Sequence, residues 1–122
     1  LLAWDFVVRE RRRAPRVCLQ GHVYLSLGGQ NLDLPAADIS VSGVGVLIDA
    51  AVLGTRPSGE VGICRIESTE LGGSVEAYVS IMRIRRLGER RLVGLRFESI
   101  SDDELELIRE YKRKRRDSPA AS

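Results

Sequence analysis

Histidine, cysteine and aromatic residues are scarce in this chain. One histidine, His22, and two cysteines, Cys18 and Cys64, are spread over 122 residues. No Cys-x-x-Cys pair exists, and a zinc site needs about four nitrogen or sulfur ligands, so no metal centre is expected. The thiols read as structural ones of a reducing compartment. Two Phe, three Tyr and one Trp leave no stacking platform of the kind that single-strand nucleic-acid binders use. Long apolar runs are missing too. The longest, Val41 to Leu53, is broken by Ser42, Gly43, Gly45 and Asp49, far short of the ~20 apolar residues that span a bilayer. The first residues, Leu1 to Val8, are few and lack a basic lead, which makes a poor signal peptide. They do not begin with Met and are read as a cut end or a linker from a preceding region. Catalytic patterns are absent as well. There is no nucleophile elbow and no Gly-x-x-x-x-Gly-Lys-[Ser/Thr] loop, and His22 stands alone on an outward strand position. These gaps exclude the commoner enzyme classes and point to a binding module without a cofactor.

What is present is one domain's worth of chain with 43 % hydrophobic and 30 % charged residues, a composition of globular proteins. Net charge is only +2, which hides its distribution. Arg9, Arg11, Arg12, Arg13 and Arg16 lie before the first strand, and Lys112 to Arg116 form a run near the end, so ten of the 19 cations sit at the two ends. The middle is read as near neutral or acidic, unlike a uniformly basic nucleic-acid binder.

Apolar and polar residues alternate from Val17 to Leu27, with Val17, Leu19, Val23, Leu25 and Leu27 on one face, the period of a half-buried strand. Gly28 to Asn31 reads as a hairpin turn. Further strands are expected from Leu32 to about Ile39, Val44 to Ile48, Val61 to Ile66, Ser74 to Ile84 and Leu92 to Phe97. Thr55 to Gly59 and Ser68 to Gly73 are read as loop and turn. The period then lengthens. Ser101-Asp102-Asp103-Glu104 is a capping box, and Leu105, Leu107, Ile108 and Tyr111 form one stripe of a helix running to about Arg113. Acids at its start and cations at its end suit its dipole. Six short strands with turns between them argue for a sandwich or a small closed barrel, with the helix covering an opening.

Two segments carry candidate chemistry. Glu10-Arg11-Arg12-Arg13-Ala14-Pro15-Arg16 is kept extended by Pro15. Its cations are all arginine, whose planar fork suits phosphate and the O6/N7 edge of guanine. Alone, it also reads as a solubilising linker. Asp38-Ile39-Ser40-Val41-Ser42-Gly43-Val44-Gly45 has turn chemistry, and Gly43 can take a positive φ. A carboxylate there could accept from the N1–H and N2–H₂ of guanine, and Gly43 would let a flat ring approach. Alone, it also reads as a plain turn.

Taken in order, Arg12-x-x-x-Arg16 and then Asp38-x-Ser40-x-x-Gly43 resemble the PilZ domain family. Val93-Gly94-Leu95-Arg96-Phe97 followed by a capped helix resembles that family's close. The likeness covers roughly Glu10 to Arg115, leaving residues 1–9 as linker or cut end and 116–122 as a tail. It implies an all-β fold, a six-stranded antiparallel β-barrel with one C-terminal α-helix. It also implies a cytoplasmic receptor for the bacterial second messenger cyclic di-GMP, bound by Arg12, Arg16, Asp38, Ser40 and Gly43. Arg11, preceding the first motif arginine, resembles members that bind an intercalated pair of ligand molecules. Arg83 and Arg85 fall on a strand that the family places near the ligand, and a plain surface role is the competing reading for both. The expected partners are the dinucleotide and an effector protein or adjacent domain, with no nucleic acid and no membrane insertion. The alternative is a PilZ-like protein-interaction domain that binds no nucleotide.

Overall fold

The computed structural model describes residues 16–116. Seven strands and two α-helices follow in the order β1 (Val17–Cys18), β2 (His22–Leu27), β3 (Gln30–Ser40), β4 (Gly43–Asp49), α1 (Ala50–Leu53), β5 (Val61–Ser68), β6 (Gly73–Leu87), β7 (Arg90–Ile100) and α2 (Asp102–Arg116). All pairings are antiparallel, and β3-β2-β5-β6-β7-β4 closes on itself through β3–β4. The result is the expected six-stranded barrel with one C-terminal helix, plus β1 as an extra strand on β3.

Alternation places the core as the sequence suggests. Val23, Leu25, Leu27, Val75, Val79, Val93 and Leu95 point inward at 0–1 % exposure, while Tyr24, Glu76 and Tyr78 point out. Gly28 and Gly29 form the tight turn between β2 and β3, both at positive φ (51° and 83°), as two-residue hairpins of matching twist require. The first expected strand is broken. Pairing stops between Cys18 and His22, so Val17 to Leu27 becomes two strands that share one edge of β3.

Other elements run longer than alternation alone indicated. The fifth expected strand extends to Leu87 and the last to Ile100. A short helix, α1, follows β4 where no element was expected. Ser68 to Gly73 contains a 3₁₀ turn, Thr69–Leu71, whose Leu71 is buried. Helix α2 continues to Arg116. Its start is capped as expected, since Ser101 Oγ accepts from the Glu104 N–H at 3.2 Å and donates to Glu104 Oε1 at 2.8 Å. The same carboxylate also accepts the Glu76 N–H of β6, so the cap fastens α2 to the barrel. Ile108 and Tyr111 are buried against the core, and the Tyr111 hydroxyl donates to the Cys18 carbonyl at 2.5 Å. Lys112, expected among the cations of the helix end, is only 8 % exposed, unlike Arg113 and Lys114, which are exposed.

Candidate ligand-binding site

The site begins with an irregularity in β3. Strict alternation from Leu32, Leu34 and Ala36 would turn Asp38 and Ser40 into the core. Between Ala36 and Asp38 the β3–β4 register shifts. This bulge resets the alternation, so Ile39 becomes the inward residue at 0 % exposure. Asp38 is thereby released to the outer surface, with its side chain 26 % exposed.

Strand β1 then brings Arg16 to it. Val17 pairs with Ile39 and Cys18 with Asp38, which sets Arg16 at the end of the ladder. Arg16 Nη1 donates to Asp38 Oδ1 at 2.6 Å. Two residues 22 apart in sequence, one from each motif, thus form a charge-assisted hydrogen bond. Arg11 and Arg12 lie outside the described residues.

Ser40 sits differently. It is fully buried, its hydroxyl is 2.9 Å from that of Ser42, and it accepts the Ser42 N–H at 3.2 Å. It serves the turn that joins β3 to β4. Gly43 does not use the positive φ open to it. Close approach is the reason glycine is needed there: a Cβ would lie 2.0 Å from the Leu95 carbonyl oxygen of β7. The Ser42 carbonyl accepts the Phe97 N–H at 2.9 Å, so the turn is held against β7 on both sides of Gly43.

Gly45 closes the turn segment read from the sequence, but no role in the site was expected of it. It pairs with Asp38 across β3–β4, and a Cβ on it would stand 2.7 Å from Asp38 Oδ1. The missing side chain lets the carboxylate lie over β4. Gly45 pairs in turn with Gly94 of β7, and Gly94 with Arg83 of β6. Directly paired residues share a face, so Asp38, Gly45, Gly94 and Arg83 form one outward row: a carboxylate, two positions without side chains, and a guanidinium. Gly45 at period two from Gly43 was the available signal, but the row needs the register. Arg96, opposite Gly43, is tied to Glu98 at 2.7 Å.

The other reactive residue types are placed elsewhere. His22 is exposed with Nδ1 3.0 Å from Asp33 Oδ1. Cys18 is exposed and Cys64 buried. Burial pushes the Cys64 thiol up to about 12, against a smaller lowering by the Ala77 backbone and a further raising by Glu104. Among the described residues no group of three His, Cys, Asp or Glu could hold a metal ion, and no helix is long and apolar enough to cross a membrane.

The family model described as "PilZ domain" matches residues 10–114. No curated protein matches the chain. Among solved structures, the Bacillus subtilis inhibitor of motility (MotI/DgrA) superposes with a TM-score of 0.73 at 18 % identity, over 87 % of this chain and 51 % of that one. The Borreliella burgdorferi PlzA protein in complex with c-di-GMP gives 0.63 at 15 %, over 89 % and 44 %. The PilZ domain of YcgR from Escherichia coli, with c-di-GMP, gives 0.67 at 17 %, over 92 % and 99 %. The chain thus spans about half the length of the first two and nearly all of the third. At these identities the likeness is one of fold.

Proposed function

This chain belongs to the PilZ domain family, and on that premise we propose that it is a cyclic di-GMP receptor domain rather than an enzyme. The observation that carries the proposal is the meeting of Arg16 and Asp38 at 2.6 Å beside the bare Gly45–Gly94 strip. Asp38 has a second oxygen, and a carboxylate offers about four acceptor positions. It can therefore take the N1–H and N2–H₂ of a guanine while keeping contact with Arg16. The glycine strip admits a flat purine against the strands. Arg16, with Arg11 and Arg12 of the arm, supplies planar donors for phosphate and for the O6/N7 edge. Gly43 and Ser40 contribute by holding the turn, Gly43 through its packing on β7 and Ser40 through its buried hydroxyl. Arg83, at the far end of the strip, is placed for a second ligand contact. Two proteins that share this fold, PlzA and the YcgR PilZ domain, are known with c-di-GMP bound.

Signal relay follows from the same pair. Ligand shares Arg16 with Asp38, so binding alters how Arg16 is held beside β3 and what a neighbouring domain or effector protein meets. Arg11, Arg12 and Arg16 together also suit two intercalated ligand molecules, which carry four phosphate groups between them. The competing reading is a protein-interaction domain whose Arg16–Asp38 pair only pins β1.

Calorimetric titration with cyclic di-GMP separates the two readings. Saturable binding with one or two ligands per chain is the expected result. A flat titration of folded protein would assign the domain to protein interaction instead.

A further inference from the structure

Besides the cations at its two ends, the chain carries a third cluster, and the fold places it on one hairpin. Between Met82 and Leu92 the β6–β7 hairpin carries Arg83, Arg85, Arg86, Arg90 and Arg91, against Glu89 as its single carboxylate. None of these five belongs to an ion pair among the described residues. Arg91 donates to the carbonyls of Gly88 and Arg90 instead. Arg86 pairs directly across from Arg91, an arrangement of like charges that weakens a hairpin.

Register decides where the charges point. Arg85 pairs with Leu92, and Arg90 with Leu87 and Asp49, on the outer face. Arg91 pairs with the core residue Ile48, so Arg91 and Arg86 lie on the opposite face, at the end of the barrel. Guanidinium groups therefore leave both faces of the hairpin. Apolar side chains accompany them. Leu87, beside the turn, is 49 % exposed, and Met82 is 52 % exposed. Val52 of α1 is also exposed, and α1 is fastened to the tip by the Ala50 N–H bond to the Glu89 carbonyl at 3.0 Å.

Asp49 stands across from Arg90 without a salt bridge, the other four arginines have no carboxylate as strand partner, and this excess of cations on a packed hairpin draws an anionic partner. An acidic protein face would meet one side of the hairpin and leave the cations of the other side unpaired. Single-stranded nucleic acid would call for aromatic stacking groups, and there are none between Met82 and Leu92. A bilayer surface meets both faces at once, with lipid phosphates around the arginines and the acyl boundary at the exposed leucine. We propose that the tip of the β6–β7 hairpin is a contact site for an anionic phospholipid surface, with Arg86 and Arg90 as its charged contacts and Leu87 as its apolar one. The contact is peripheral, and it does not depend on the cyclic di-GMP reading.

Vesicle sedimentation with the 122-residue chain tests it, using phosphatidylcholine vesicles with and without about 30 % phosphatidylglycerol, at about 0.1 M salt. The parent protein should sediment with the anionic vesicles and stay in solution with the neutral ones. Combining Arg86→Glu with Arg90→Gln should weaken sedimentation at least ~10-fold, from the charge lost near the surface. Both arginine-rich ends remain in that variant, so the loss belongs to the hairpin. Leu87→Ser should weaken it at least ~3-fold, from lost apolar burial. Thermal melts of both variants check the fold.

No binding of the parent to anionic vesicles, or undiminished binding of either folded variant, overturns the proposal. So does duplex DNA that outcompetes the vesicles for the parent but not for the double variant. A parent that binds vesicles but not cyclic di-GMP sinks only the receptor reading.

Discussion

The site turns on what the Asp38 carboxylate faces. If the arginines acted on the phosphates alone and nothing else read the base, cyclic di-GMP and cyclic di-AMP would bind alike, because phosphates carry no base information. Adenine presents no N1–H and no N2–H₂, so facing Asp38 it leaves those bonds unmade. Cyclic di-GMP should therefore bind at least ~100-fold more tightly than cyclic di-AMP, about 2.7 kcal/mol, and Asp38→Ala should shrink that gap. Competition titration of both dinucleotides against parent and variant measures it, and equal affinities in the parent would leave only a basic arm. Arg16→Ala should lower affinity at least ~10-fold, as loss of a charged contact does. The Arg16–Asp38 pair is 43 % and 26 % exposed, and such a partly screened pair contributes about 0–1 kcal/mol. The melting temperature should accordingly move little. A variant that binds normally but melts several degrees lower would make Arg16 a structural residue.

At the scale of elements, α2 and β1 are joined through one hydroxyl. Tyr111 Oη donates to the Cys18 carbonyl at 2.5 Å, and Cys18 pairs with Asp38. The helix thus steadies the strand that presents Arg16. Tyr111→Phe keeps the ring and removes the donor, so it should cost roughly 0.5–1.5 kcal/mol of stability. It should also weaken cyclic di-GMP binding by a smaller factor than Arg16→Ala does. Urea unfolding and the same titration give both numbers. A stability loss with no change in affinity would show that β1 holds its register without the helix. Both the bulge of β3 and the Gly43 contact with β7 act at this scale, since each sets how two strands meet.

For the whole molecule, barrel closure buries one thiol and thereby ties stability to alkaline pH. An unfolded Cys64 thiol ionises near its ordinary value of 9.0, whereas the folded one holds its proton to about 12. The folded pKa is the higher one, so this contribution is intact below pH 9 and is lost as pH rises from there toward 12. Burial also raises the Tyr111 hydroxyl, which acts in the same direction in the alkaline range. Unfolding free energy should fall above pH 9 with a slope of up to ~1.4 kcal/mol per pH unit for one group. Cys64→Ala should be less stable at neutral pH because of the cavity, yet lose stability less steeply above pH 9. Parallel declines in parent and variant would mean that the thiol stays buried in the unfolded ensemble.

Strand alternation, turn residues and the capping box were legible in the sequence because each depends on near neighbours and the side-chain period. The two motifs were legible as residue types suited to phosphate and guanine, and their order carried the family. Which face each residue takes was a different matter. Alternation alone would have buried Asp38, and only the shift at Ala36/Asp38, required by pairing with β4, turns it outward. The Gly43 requirement is set by the Leu95 carbonyl, more than fifty residues along the chain. The Asp38–Gly45–Gly94–Arg83 row exists only once four strands are in register. The arginines of the hairpin lie close together in the sequence, but which face each one takes is decided only when β6 extends to Leu87 and turns back on β7. Local periodicity determines what a strand is, and long-range pairing decides which side chains meet across it.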